Sequence, residues 1–292
     1  MQQEIHFQSN GLQLAAVLHI PDDIKPGEKR PSITVLHGFG SNKNGGIALV
    51  AAEIFEKMGY VTLRFDFRGC GQSEGAPGRV ICLEQVEDAK AAFDYLETRA
   101  EVDSKRMAIM GFSFGAAVSV YTAGVDSRAA ACISMGGWGD GAKKFRKQHE
   151  SPEAWGKFTS MMKRGQEELK KGVSIRVPRF DIVPIRAGIR NNLAEGAFME
   201  FPYEVVQSMY DFKANDVVSK IAPRPLLLMH PSLDTVTPTE QSVDLFLRAG
   251  QPTELHLMAE VDHFMLSENN HIVHAVLSNW LAKYFPVHVS LN

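Results

Sequence analysis

The chain has 292 residues, of which 45% are hydrophobic and 22% charged, and its formal net charge is −3. That length holds one large α/β domain or a core with an inserted segment, and the composition is ordinary for a globular enzyme. The small negative charge excludes a dedicated nucleic-acid binder, which needs a basic excess to exchange against counterions.

The opening Met1-Gln2-Gln3-Glu4-Ile5-His6 has no cationic stretch followed by an apolar one, so no secretion signal is read there. No apolar run approaches the length of a membrane span. Cys70, Cys82 and Cys132 are odd in number and far apart, which suits neither a disulfide framework nor a metal site. The expectation is a cytoplasmic protein with no membrane partner.

In chain order, apolar runs at 5–7 and 12–20 flank Ser9-Asn10-Gly11, a strong hairpin signal. A polar loop with Pro and Gly covers 21–31. Ser32-Ile33-Thr34-Val35-Leu36 reads as a buried strand ending in His37-Gly38-Phe39-Gly40. A helix is predicted over 47–58, stopped by Gly59, then a strand over 60–67 and an amphipathic helix over 83–98. The strand 107–110 leads through Gly111-Phe112-Ser113-Phe114-Gly115 into Ala116, Ala117, Val118 and Val120, and a further strand covers 130–135. Over 138–210 the pattern breaks into helix-like, charged and aromatic sequence with no convincing buried strand. It resumes with a strand at 225–230, a helix at 240–248, a strand at 254–258 and a closing helix from about 269 to 284. Strands alternating with helices predict a mainly parallel sheet of about eight strands with helices on both faces. The reading is an α/β core over 1–137 and 211–292, with 138–210 inserted as a helical lid.

Strand, tight turn and helix make G-x-S-x-G a nucleophile elbow. A second match, Gly71-Gln72-Ser73-Glu74-Gly75, also follows a strand but runs on into Ala76-Pro77-Gly78, which is loop chemistry. Glu74 there would oppose the negative charge of acyl transfer. Ser113 is therefore the predicted nucleophile, and Ser73 a structural or rim residue.

A serine hydroxyl needs a base, and the base needs a group that holds its tautomer. After Ser113, Asp234 and His263 follow in the order Ser, Asp, His, each in a loop past the carboxyl end of a strand, where sites in open α/β sheets gather. Asp262 is the rival acid, but neighbours in sequence usually diverge. His271 and His274 share a helix face without a supporting carboxylate pattern and read as surface residues. His230 and His256 read as packing. The oxyanion needs backbone donors: the N–H of Phe114, after the nucleophile, and that of Phe39, with Gly40 as fallback.

His37-Gly38-Phe39-Gly40, Asp66-Phe67-Arg68-Gly69-Cys70-Gly71-Gln72-Ser73, the elbow, and the Asp234 and His263 loops stand in the order of the α/β-hydrolase superfamily, which the chain resembles over nearly its whole length. The HGF loop, the Arg-Phe-Asp-Phe-Arg-Gly stretch and the short lid look most like bacterial carboxylesterases of the cinnamoyl or feruloyl type. The Gly-Phe-Ser-Phe-Gly-Ala elbow is closer to dienelactone-hydrolase and acyl-peptidase-like relatives. The resemblance implies a Ser113–Asp234–His263 triad with an oxyanion hole at Phe39 and Phe114. Pro231 stands where the family commonly has glycine before its acid.

Together these features predict a serine esterase (a carboxylic ester hydrolase) that works through an acyl-serine without metal or organic cofactor. An aminopeptidase or amidase, a thioesterase and a C–C bond hydrolase share the triad and stay open as alternatives, as does a non-catalytic binding protein. The partner expected is a small-molecule ester. The 138–210 segment bears aromatics and methionines that could line an acyl or aryl pocket. It also carries 13 Lys and Arg against 9 Asp and Glu, a net +4 that leaves −7 on the remainder. That asymmetry suits an anionic substrate, exposed helix faces, or contact within a homodimer.

Overall fold

The structure is a computed structural model that describes residues 1–266 and 270–288. It opens with a hairpin of β1 (Gln2–Ser9) and β2 (Leu12–His19). Asn10 and Gly11 both have positive φ, 48° and 80°, the geometry whose twist matches a two-residue hairpin turn. Then come β3 (Arg30–Leu36), α1 (Gly46–Lys57), β4 (Val61–Phe65), α2 (Cys82–Glu97), β5 (Val102–Phe112), α3 (Phe114–Val125) and β6 (Ala129–Met135). After the 138–210 segment the chain returns to the sheet with β9 (Leu226–Pro231), α8 (Glu240–Arg248), β10 (Thr253–Met258) and α9 (His271–Tyr284). The closing helix thus starts at His271 within the described residues; Asn269, where the sequence reading begins it, lies outside them.

Eight strands form one sheet in the order β1-β2-β4-β3-β5-β6-β9-β10. β2 pairs antiparallel with β1 and β4, and every other pairing is parallel. Alternate residues of the central strands serve opposite faces, so both faces must be covered. On one face Ile33, Val35, Met110, Ile133 and Met229 pack with Phe55 of α1 and Leu277, Trp280 and Leu281 of α9. On the other, Met107, Ile109, Cys132 and Leu228 pack with Val86 and Phe93 of α2 and Val118 of α3. Each such fully buried side chain contributes about 1.5–3 kcal/mol of transfer free energy. All three cysteines are free and buried; burial pushes the thiols of Cys82 and Cys132 up to about 12.

Residues 138–210 hold α4 (Gly141–Gln148), α5 (Pro152–Lys170), β7 (Arg176–Pro178), α6 (Arg179–Ile182), β8 (Glu200–Pro202) and most of α7 (Tyr203–Asp211). Ser151 caps α5 by accepting the Ala154 N–H, with Pro152 at the first helical position. A stack of Phe145, Phe158, Tyr210 and Trp155 packs α4, α5 and α7 together. The sequence reading finds no convincing buried strand here; the segment does hold β7 and β8, a short antiparallel ribbon in which Val177 stands opposite Phe201 and only those two residues are buried. Three-residue strands carrying Pro178 and Pro202 are too short to show a period. No helix among the described residues is long and apolar enough to cross a membrane.

Candidate active site

The elbow follows from two glycines. A Cβ on Gly111 would fall inside the Gly115 carbonyl, and one on Gly115 would lie 2.5 Å from the Leu36 carbonyl oxygen. Glycine at both positions lets the strand turn directly into the helix. Between them Ser113 is held at φ 53°, ψ −111°, a left-handed backbone that costs a non-glycine residue about 1–3 kcal/mol. Its N–H donates to the Met135 carbonyl at 2.9 Å, which anchors the corner to β6.

The residues singled out in the sequence converge on this corner. Ser113 Oγ lies 2.9 Å from His263 Nε2, and His263 Nδ1 lies 2.7 Å from Asp234 Oδ2. Asp234 Oδ1 accepts the N–H groups of Val236 and Thr237 at 2.7 and 2.8 Å, so the carboxylate is bonded through both oxygens. An ionised Asp234 accepts, which puts the proton on Nδ1 and leaves Nε2 to receive the Ser113 hydroxyl proton. Burial pushes the Asp234 carboxyl up, but His263 and His230 beside it outweigh that and hold it well below the usual carboxylate range. Gly136, at positive φ, lets β6 end directly beneath this pair: a Cβ there would come 3.5 Å from the His263 ring.

The rival acid has another task. Asp262 accepts the His263 backbone N–H at 2.8 Å, the Thr235 N–H and hydroxyl, and an Arg186 N–H at 2.8 Å. It ties the His263 loop to the Asp234 loop. Ser73 is also taken: its hydroxyl donates to the Asp66 carbonyl and accepts the Ala15 N–H at 2.9 Å, far from any nucleophilic role. His230 is more than packing. It is fully buried, its Nε2 lies 3.0 Å from the Thr237 carbonyl and 3.3 Å from Asp234 Oδ2, and its Nδ1 lies 2.6 Å from Ser242 Oγ.

Phe39 lies in the loop after β3, and Phe114 begins α3. As the first helical residue, Phe114 has an N–H with no intrahelical acceptor. The two rings are 5.8 Å apart. The His37 Nδ1–H donates to the Gly38 carbonyl at 2.8 Å while Nε2 accepts the Phe67 N–H at 3.2 Å. Burial pushes His37 down, which keeps the ring neutral and suits that one-donor, one-acceptor role. Farther along the loop, the Lys43 ammonium and the Asp66 carboxylate form a buried pair at 3.0 Å. Sequence reading missed Arg179, which also borders the site: its guanidinium donates to the Phe39 carbonyl at 2.6 Å and to the Phe198 carbonyl at 2.8 Å.

Ser113 and His263 open into a cleft at the strand ends, with about 640 Å³ of empty space when its open mouth is included. Ile47, Ala48, Phe112 and Phe264 of the core and Val183, Ile185 and Leu193 of the 138–210 segment form its walls. Among the described lining residues there is no Asp or Glu, and Arg179 alone is a permanent cation.

A doubly covered, mostly parallel sheet with an elbow serine and an acid–histidine relay at its strand ends defines an α/β hydrolase. The chain belongs to the Hydrolase_4 family, described as serine aminopeptidase, S33, whose pattern matches residues 27–270. Its sequence is similar to a 31.7 kDa Escherichia coli protein of the traX–finO intergenic region, 24% identical over 264 residues, 88% of this chain and 92% of the relative. Its fold is similar to that of the α/β hydrolase GrgF from Penicillium sp. sh18, with a TM-score of 0.77 and 20% identity over 97% of this chain and 99% of the other. It is likewise similar to Est1E from Butyrivibrio proteoclasticus, solved with ferulic acid bound, with a TM-score of 0.68 and 18% identity over 96% and 98% of the two chains.

Proposed function

We propose that this hydrolase cleaves carboxylic esters of small molecules through an acyl-serine intermediate. The observation that carries the reading is the unbroken line from Asp234 through His263 to Ser113, with spacings of 2.7 and 2.9 Å, facing an apolar cleft. Ser113 Oγ attacks the ester carbonyl carbon while His263 Nε2 takes its proton. The Phe39 and Phe114 N–H groups donate to the oxygen that becomes negative. Collapse breaks the bond to the alkoxy group, which leaves with the proton from Nε2. Water, deprotonated by the same nitrogen, then adds to the acyl carbon and releases the acid. Asp234 keeps the imidazole in the required tautomer and stabilises its cation.

The 138–210 segment serves as a lid that supplies one wall of the cleft. The setting is cytoplasmic, a reading supported by three unpaired, buried cysteines. The family's description favours a second reading, an aminopeptidase. Gripping a free amino terminus calls for a carboxylate in the cleft, and the acid-free lining weighs against it.

A panel of p-nitrophenyl esters of graded acyl length, run beside aminoacyl anilides and acyl-CoA thioesters, tests the assignment. Ester turnover that is lost in Ser113→Ala is expected. Turnover of the anilides alone would overturn it.

A further inference from the structure

We infer that Arg179 is a positioning residue of the oxyanion site: the lid-borne guanidinium fixes the Phe39 peptide and sets an unneutralised positive charge behind the oxygen that becomes negative. This rests on the acyl-transfer reading above.

Two consecutive peptides of the loop after β3 are held from opposite sides. The Gly38 carbonyl, which belongs to the same peptide as the Phe39 N–H, is held from the core by His37 Nδ1 at 2.8 Å and by the Ser41 N–H at 3.2 Å. The Phe39 carbonyl, in the next peptide, is held from the lid by Arg179 Nη2 at 2.6 Å. The ribbon closes over this arrangement. The Phe198 N–H donates to the Gly40 carbonyl at 2.9 Å, and the Phe39 ring stacks on Phe201 at 4.0 Å. Gly40 has φ 52°, and a Cβ on it would overlap the Phe201 ring. The direction of the Phe39 N–H is thus fixed jointly by core and lid, and of the two polar links on the lid side Arg179 is the one that reaches the Phe39 carbonyl.

Its electrostatics point the same way. Arg179 is 4% exposed, its Nε has no acceptor, and no Asp or Glu pairs with it among the described residues. Burial pushes it down to about 10, so it remains charged at neutral pH. A buried charge without a counter-ion is costly. An oxyanion forming beside Phe39 would supply the missing negative charge, and only in the transition state. A substrate carboxylate is the competing source of that charge. Each terminal nitrogen already gives one N–H to a main-chain oxygen, which ties the group to the loop, and the paired neutral and anionic esters below separate the two sources of charge.

The test uses the full chain with Arg179→Met and Arg179→Lys, assayed on neutral p-nitrophenyl butyrate and anionic p-nitrophenyl hemisuccinate. For Arg179→Met, kcat is expected to fall about 10- to 100-fold on both esters, with KM changed less than about threefold. Affinity for a trifluoromethyl ketone, which forms an oxyanion on Ser113, should fall by the same factor as kcat/KM. Arg179→Lys should recover part of the loss and, should Arg179→Met not fold, carries the test through the same ratios. A rise in KM confined to the hemisuccinate, with kcat intact, would make Arg179 a substrate anchor and overturn the inference. Unchanged kcat in both variants would overturn it too. Absence of ester turnover in the unsubstituted protein counts against the proposed function instead. In that case the rate of Ser113 phosphonylation by a fluorophosphonate still reports on Arg179, because that attack also builds charge on an oxygen; a rate unchanged in the variants would overturn the inference.

Discussion

His263 Nε2 stands 2.9 Å from Ser113 Oγ although 150 residues separate them in the chain. The contact exists because β5 ends in the elbow and the loop after β10 folds back over it, with three intervening parallel pairings setting the distance. Stability and chemistry are therefore separable at the serine. Ser113→Ala is expected to abolish turnover without loss of fold. Ser113→Gly should be equally inactive yet about 1 kcal/mol more stable than the alanine variant, because glycine adopts positive φ without strain. Urea unfolding of the two variants checks this.

Asp234→Asn keeps the shape of the site but presents an amide where His263 Nδ1 needs an acceptor. A fall in kcat of about 10,000-fold is expected from the wrong tautomer, measured under saturating ester with the fold confirmed by circular dichroism.

The same carboxyl links stability to pH. Burial opposes its ionisation, but His263 and His230 win, so its folded pKa lies below its unfolded value. Its contribution to stability is complete above the unfolded value, about 3.9, and is lost as pH falls through the folded one. The unfolding free energy should drop below about pH 4, and the drop should be shallower in Asp234→Asn. Urea titrations between pH 2.5 and 6 read the difference.

Lys144 presents the opposite sign. Its ammonium group is buried without a hydrogen bond, 4.5 Å from the Trp138 ring and 4.0 Å from the Phe145 ring. Burial pushes it down to about 7, against a small opposing effect of Cys82. A lysine lowered on folding destabilises fully below its folded value and not at all above its unfolded one. Lys144→Met should therefore stabilise by on the order of 2–4 kcal/mol at pH 6, less the lost ring contacts, with the gain fading toward pH 10. Thermal unfolding of both proteins at several pH values measures it.

Arg186 gives a contrasting expectation. It reaches Asp262 at 2.8 Å, but its side chain is 66% exposed. Arg186→Ala should change stability by less than about 0.5 kcal/mol, whereas Asp262→Ala, which removes the anchor between the Thr235 and His263 backbones, should reduce both stability and kcat. Paired urea titrations and ester kinetics separate the two.

Much of this architecture is legible in the sequence because it depends on local signals. Asn10-Gly11 dictates its turn, the strand–helix alternation dictates the sheet, and the context of Gly111 to Gly115 separates Ser113 from Ser73. Asp234 and His263 are found by order and by position after strands. Other features depend on distances no local pattern encodes. The β7–β8 ribbon draws its pairing from partners as far apart in the chain as Val177 and Phe201. Arg179 is anonymous among 13 basic residues of its segment because its partners are carbonyl oxygens, which every residue has. His230 looks like any strand-end histidine until the turn through Thr237 brings Asp234 beside it.

Cys70, Cys82 and Cys132 are withdrawn from solvent, with thiols that stay protonated at neutral pH. Alkylating dyes and spin labels react with the thiolate and need access to it, so the native protein presents them with no background. A lone reporter sulfur introduced as Leu233→Cys, at a position 83% exposed and adjoining Asp234, can therefore be tagged without first stripping out the natural ones, and the surroundings of the Asp234 loop can be followed by fluorescence or resonance as candidate ligands are added.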